Sequence, residues 1–390
     1  MKRVLFLDHV DRILGGAEIN LVELLQANHS NSLWETLCAT APESPLRMAL
    51  QSVPAIQHFD YEIASDFNRF RLVDRGNPMV RLLGGWKAIR KASRLITNLL
   101  GVIHPDVVVS CTNKDHLALA KALRAMPYPI PSVWWINDLF IPEFFNWPTR
   151  MIFAQAAKSG YHRLVGVSGA VGKSLRQLGI PASQIKTILN GIPWNTYSAE
   201  QRSEDRDWDP VRIGVVGRLT SWKGQHIALE CLRLLRSRDV PCHLSIVGKA
   251  FNEDQEYEAE LKRVAASSNL MNYVEFVPFQ SNLRALFAQL DVLLHTSIKP
   301  EPFGRVIIEA MAARTAVVAA NAGGVPEIIH DAEHGLLVAP GRAVAYADAV
   351  QRLSNDFALR SRLAVAGRER VKKHFLIERV TSQFRELFEE

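Results

Sequence analysis

Glu301 and Glu309 stand eight residues apart in KPEPFGRVIIEAMA (residues 299–312), the first between two prolines and the second inside an otherwise apolar run. An ionised carboxylate in such a place costs about 2 kcal/mol or more unless donors or a cation meet it. Three arrangements answer that demand. The acids can accept from the hydroxyls of a polar ligand, Glu309 can pair with a cation of the protein itself, or the two can act as an acid/base couple. The last fits least well, because a couple working on one bond must flank it from opposite sides.

Cations come from VVGRLTSWKGQ (215–225). Arg218 leaves a strand end and Lys223 follows five residues later where a helix begins, so both can converge on one helix N-terminus and cradle an anion. Two solvated surface charges are the plainer alternative. Near the start, Gly15 and Gly16 precede a second helix (DRILGGAEINLVELL, 11–25), where glycine lets backbone amides approach a ligand. An ordinary turn would use the same residues. A diphosphate at the cations, with a sugar hydroxyl at Glu301 and a ribose diol at Glu309, would satisfy every charged group.

Other chemistries find no support. SGAVGKS (168–174) resembles a phosphate loop, but the glycine required five places before Gly172 is Val167. No GxGxxG follows a strand. The four cysteines, Cys38, Cys111, Cys231 and Cys242, form no ligand-spaced group and read as reduced core residues. The D-x-D spacings of the chain, Asp205-Arg206-Asp207 and Asp207-Trp208-Asp209, fall in the charged stretch 197–210, and neither a metal nor any other cofactor is expected, as the family resemblance given below implies.

Positioning these loops requires strands alternating with helices, the pattern of parallel βα units. One series has strands at 4–10, 34–40, 106–110, 131–136 and 162–168. A second has them at 211–217, 242–248, 273–278, 291–297, 315–321 and 335–340. Between the series, YSAEQRSEDRDWDP (197–210) is polar and charged. The expectation is an N-terminal domain of 1–196, a linker of 197–210 and a C-terminal domain of 211–390, with the last helices free to pack back on the first domain. Two doubly wound domains of this kind leave a ligand cleft at the carboxyl ends of their strands.

With 390 residues, 48% of them hydrophobic, the chain has material for two such cores. Val4–Leu7 is too short an apolar run for a signal peptide or membrane span, which points to a cytoplasmic protein. Residues 1–200 hold 21 Lys and Arg against 15 Asp and Glu, whereas 201–390 hold 25 of each, so the net +6 belongs to the first half. Within it, residues 65–94 carry eight basic and two acidic side chains among Phe67, Phe70 and Trp86. That face reads either as a solvated helix exterior or as a contact with an anionic bilayer or acceptor, peripheral at the inner side of a membrane.

Glu301, Phe303, Gly304 and Glu309 resemble the E-x-F-G-x(4)-E signature of the retaining glycosyltransferases of family 4. Gly217-Arg218, Lys223-Gly224, Gly15-Gly16, NAGGVPEII (321–329) and GLLV (335–338) support the likeness, which spans nearly the whole chain. The resemblance implies the GT-B fold, an α/β architecture of two Rossmann-like domains facing across a cleft. By position, it implies that Arg218 and Lys223 bind the donor diphosphate and Glu301 the transferred sugar. The amides of Phe303, Gly304, Arg305 and Val306 would lie nearby, Glu309 would hold the ribose, and Gly16 would approach the reacting centre. Many relatives have a histidine after the fourth strand of the first domain; here WWINDLF (134–140) offers Asn137 and Asp138, as contacts to sugar or acceptor. His295 and His162 read as structural.

The expected activity is metal-independent transfer of a sugar, with retention, from a nucleoside diphosphate sugar to an acceptor hydroxyl in glycan, polysaccharide or glycolipid synthesis. Catalysis would rest on Glu301, Arg218 and Lys223, the acceptor would be a glycan or lipid-linked molecule, and nucleic acid is not a partner. A nucleotide-sugar epimerase and a catalytically silent nucleotide-sugar binder are the alternatives.

Overall fold

The computed structural model describes residues 1–10, 15–62, 78–160, 162–198, 210–251, 254–280 and 282–390, the stretch 78–84 by its backbone alone. They form two compact units, residues 1–190 with 377–390, and residues 191–376. The division falls earlier than 197 because the Ile192 N–H donates to the Phe375 carbonyl at 2.9 Å and Ile192 bridges Leu376. Those bonds tie 191–198 to the second unit. Most of the expected linker, residues 199–209, lies outside the described residues.

The first unit holds a seven-stranded sheet of β1 (Arg3–Asp8), β2 (Glu35–Thr40), β3 (Gln57–Asp60), β4 (Val107–Ser110), β5 (Ser132–Ile136), β6 (His162–Gly166) and β7 (Ile185–Thr187). Its order is β3-β2-β1-β4-β5-β6-β7 and every pairing is parallel. Central β4 and β5 are buried along their whole length, as strands covered by helices on both faces must be. Edge strands β3 (QHFD) and β7 (IKT) escape the sequence reading because they are short, half-exposed and lack an apolar run. The helix Ile377–Glu389 completes this unit, placing Phe384 edge-on to Trp135 with ring centroids 5.0 Å apart and Phe388 edge-on to Trp34 at 5.2 Å.

The second unit has β8 (Val211–Val216), β9 (Cys242–Val247), β10 (Val274–Val277), β11 (Val292–His295), β12 (Ala316–Ala320) and β13 (Leu336–Val338), all parallel, in the order β10-β9-β8-β11-β12-β13. Ile213, Val215, Leu244, Ile246, Leu294 and Val318 carry its core against Leu229, Leu232 and Tyr346 of the flanking helices. In each sheet the order of connection reverses once, between β1 and β4 and between β8 and β11. Such reversals splay the loops at the strands' carboxyl ends and open the place where doubly wound sheets take ligands.

Candidate functional site

Lys223 and Glu301 meet at the reversal point of the second unit. Lys223 ends a short 3-10 turn, Ser221–Lys223, in the loop after β8, and Glu301 stands in the loop after β11. The two form a tight ion pair. Three contacts fix the loop that carries the lysine: Thr296 Oγ1 donates to the Lys223 carbonyl at 2.9 Å, Ile298 N–H to Trp222 O at 2.8 Å, and Gln225 Nε2 to Arg218 O at 2.9 Å. Gly224 permits this approach. Its φ is +74° and a Cβ there would lie 2.1 Å from the Thr296 carbonyl oxygen.

Glu301 is held as firmly. Its Oε2 accepts from Ser297 Oγ at 2.7 Å and pairs with His295 Nε2 at 3.3 Å; since a carboxylate only accepts, that ring nitrogen bears the proton. The Gly324 N–H donates to the Glu301 carbonyl at 2.8 Å, and a Cβ on Gly323 would lie 2.1 Å from the same oxygen, so the paired glycines of NAGGVPEII let two loops touch. Burial alone would raise the Glu301 carboxyl, but Lys223 and then His295 hold it well below the ordinary carboxylate range. His295, read from the sequence as a structural residue, is thus a direct neighbour of the Glu301 carboxylate. Sequence reasoning passed over it because it closes a strand, where histidine is common as a core residue.

Glu309 lies within the helix Arg305–Ala312 and is buried, as the apolar run implies. Its donor is Arg305 Nε, 2.7 Å from Oε1 and one turn back along the same helix. Arg305 reaches on to the Tyr197 hydroxyl at 3.1 Å. Gly304 opens the helix with φ +103° and offers no capping side chain, leaving the first-turn amides of Arg305 and Val306 at a positive helix end. Phe303 is an anchor, buried with its ring 6.0 Å from that of Phe375.

Arg218 and Lys223 engage different acids. Arg218 donates through Nε and a terminal nitrogen to Asp254 Oδ2, at 3.1 and 2.6 Å, with its guanidinium 5.7 Å from the Phe251 ring centre. Asp254 carries no motif that sequence could have flagged. Each cation thus already has a carboxylate partner.

Gly16, Asn137 and Asp138 lie in the first unit. A side chain at Gly16 would meet open space, whereas one at Gly15 would meet Glu18 Oε2, which accepts the Gly15 N–H at 2.7 Å. Asn137 makes a long 3.4 Å bond to Trp135 O, and Asp138 Oδ2 accepts from Asn113 Nδ2 at 2.6 Å. His162 is structural: it stacks on Trp134 and bonds Ser132. The four cysteines are buried free thiols, and SGAVGKS forms a helix start capped by Ser168, whose Oγ accepts from Val171 N–H at 3.1 Å.

Among the described residues, one group has metal-ligand spacing, His330, Glu333 and His334. Arg370 donates to His330 Nε2 at 3.1 Å, which leaves the proton on Nδ1, the atom facing Glu333, and that nitrogen offers no lone pair to a cation.

Residues 198–370 match the family model for glycosyl transferases group 1, and residues 15–194 the model for glycosyltransferase family 4. The chain belongs to this family, and its two parallel sheets are those of the GT-B fold. HepE of Anabaena, solved in complex with UDP, matches over 99% of both chains with TM-score 0.80 and 25% identity. Sucrose-phosphate synthase of Thermosynechococcus elongatus shares the fold at TM-score 0.81 and 19% identity, over 100% of this chain and 98% of its own. A lipopolysaccharide core biosynthesis glycosyltransferase of Rhizobium meliloti is 31% identical over 52% of this chain and 57% of its own. The chain spans 57–65% of the length of several such relatives, glycogen synthase of Mycobacterium tuberculosis among them. No helix among the described residues is long and apolar enough to cross a membrane.

Proposed function

We propose that the chain transfers a sugar from a nucleoside diphosphate donor to an acceptor hydroxyl, with retention and without a metal, in polysaccharide, glycan or glycolipid synthesis. The observation that carries this reading is the Lys223–Glu301 pair at the β8/β11 reversal, backed by Ser297 and His295. An ammonium held there by backbone bonds can neutralise the departing diphosphate, while Glu301 turns acceptor oxygens toward sugar hydroxyls. Arg218 adds a second charge, and preplaced charge of this kind costs no reorganisation as the bond to the leaving group breaks. Arg305 and Val306 amides at the uncapped helix start suit a phosphate oxygen, and Glu309 suits a ribose diol. Binding of UDP by HepE and the synthetic role of the Rhizobium relative agree with this assignment.

The acceptor falls to the first unit, through Asn137, Asp138 and the Gly16 helix start. Residues 65–77 of the basic segment lie outside the described residues, but the helix that follows exposes Trp86, Lys87, Arg90, Lys91 and Arg94. These suit an anionic bilayer surface, where a lipid-linked acceptor resides.

A thermal-shift panel of UDP, GDP, ADP and their sugars tests the donor site, because a ligand of the folded state alone raises its melting temperature. Product analysis then reads the anomeric configuration. Arg218→Ala is expected to cost about 2–4 kcal/mol of transition-state stabilisation, by analogy with losing one preorganised donor. Unchanged turnover in both Arg218→Ala and Lys223→Ala would remove the mechanism.

A further inference from the structure

Glu301 divides its two oxygens between different partners. Oε1 faces the Lys223 ammonium, while Oε2 accepts from Ser297 Oγ at 2.7 Å and from His295 Nε2 at 3.3 Å. A carboxylate has about four acceptor positions, shared equally by its oxygens. Ser297 and His295 fill those of Oε2. Lys223 takes one on Oε1, so the position left to a ligand lies on Oε1, beside the ammonium.

His295 is buried at the carboxyl end of β11, and its strand sets it opposite Ala319 of β12. The Tyr346 hydroxyl donates to its carbonyl at 2.8 Å, which fixes the backbone under the ring. Ser297 Oγ lies 3.4 Å from Nε2, so the ring N–H is shared between that hydroxyl and the carboxylate. The other ring nitrogen, Nδ1, is buried and meets no hydrogen-bond partner among the described residues. A buried polar atom left in this state is destabilising, and an apolar side chain would fill the same place at lower cost. The imidazole adds one thing that such a side chain lacks, an N–H aimed at Oε2.

Two buried histidines of the first unit form the contrast. His116 and His162 bond the hydroxyls of Ser110 and Ser132, both stack on Trp134, and burial pushes their basicity down to about 3 and about 4. Each is bonded to a neutral hydroxyl inside the core. His295 is turned instead toward an anion at the ligand-binding end of its sheet.

We propose that His295, together with Ser297, is a positioning clamp on Glu301: it occupies Oε2 and holds the carboxylate at the angle from which Oε1 receives a hydroxyl of the donor sugar. This role rests on the transferase reading and lies within the second unit alone. No proton or bond changes hands in it. The clamp therefore governs affinity for the nucleotide sugar, and leaves affinity for the bare nucleoside diphosphate, which has no transferred sugar to orient, close to that of the parent.

Calorimetry on the full chain tests it with three pairs of probes: UDP and UDP-glucose, GDP and GDP-mannose, ADP and ADP-glucose. His295→Phe keeps a ring and removes the N–H. For the pair that binds, it should raise the dissociation constant of the nucleotide sugar about 10-fold relative to that of the nucleotide, the lower end for a hydrogen bond to a charged group. Ser297→Ala should shift the same ratio in the same direction. His295→Gln, whose amide restores an N–H near the Nε2 position, should hold the ratio within about three-fold of the parent. An unchanged ratio in both His295→Phe and Ser297→Ala, where Glu301→Gln loses it, overturns the clamp and leaves the transferase reading standing. Equal weakening of both probes in His295→Phe, not rescued by His295→Gln, overturns the clamp as well, as the mark of a residue that only supports the fold. If His295→Phe does not fold, Ser297→Ala decides by the same ratio. A parent chain that binds none of the pairs, or a ratio that even Glu301→Gln leaves unmoved, overturns the donor-site reading and the clamp with it.

Discussion

Lys223 neutralises Glu301 across the β8/β11 reversal of strand order in the second unit's sheet, and neither residue has its full meaning without the other. In the unliganded protein the acid is the lysine's counter-ion. Under the proposed function, a bound diphosphate would give the lysine a stronger anion and free the acid for sugar hydroxyls.

Removing one partner should therefore hurt more than removing both. Lys223→Ala strands a buried carboxylate, at a cost on the order of 2–4 kcal/mol for a largely buried pair. Adding Glu301→Gln should recover most of that stability in urea denaturation while turnover stays absent. A double variant no more stable than the single one would contradict the pairing.

Acid should loosen the first unit through His116 and His162. Both titrate near pH 6.5 in an unfolded chain, whereas burial holds them neutral in the folded one down to about 3 and about 4. The unfolded state thus binds more protons below pH 6.5, so the stability they supply is whole above that pH and is lost as pH falls through the folded values. The slope approaches about 1.4 kcal/mol per pH unit for each histidine. Urea melts at intervals from pH 7 to 4 measure it, and His162→Gln should flatten the curve.

Gly224→Ala should disturb Lys223 without touching its side chain. The residue has φ +74°, and the new methyl group would meet the Thr296 carbonyl. Strain of this type costs about 1–3 kcal/mol. Calorimetry should show weakened nucleotide binding alongside the lowered denaturation midpoint.

Phe384→Ala should destabilise by about 3–5 kcal/mol, the usual cost of emptying a buried aromatic site. Phe384 is fully buried against Trp135, so indole fluorescence should report the loss directly.

Pelleting with anionic vesicles should fall as salt rises from about 0.05 to 0.5 M, since screening removes long-range attraction. Lys87→Glu with Lys91→Glu should reduce it further, and retention that ignores both changes would sink an electrostatic contact.

Much of the architecture was legible because parallel strands buried on both faces must be continuous apolar runs: VVVS, SVWWI, VLLH and AVVAA announce themselves. QHFD and IKT do not, since edge strands bury little. In the second unit, the acids and cations stood out by type and spacing. Their partners did not: Asp254, His295 and Ser297 are ordinary residues locally, and only the fold brings them to Arg218 and Glu301.

The helix Ile377–Glu389 has a temporal consequence. Phe384 and Phe388 close the core around Trp135 and Trp34, yet a ribosome makes them only after the entire second unit. During synthesis the first unit must wait with two tryptophans uncovered while its neighbour can already fold. The part begun first is finished last, and the nascent chain spends that interval exposed to chaperones and to aggregation.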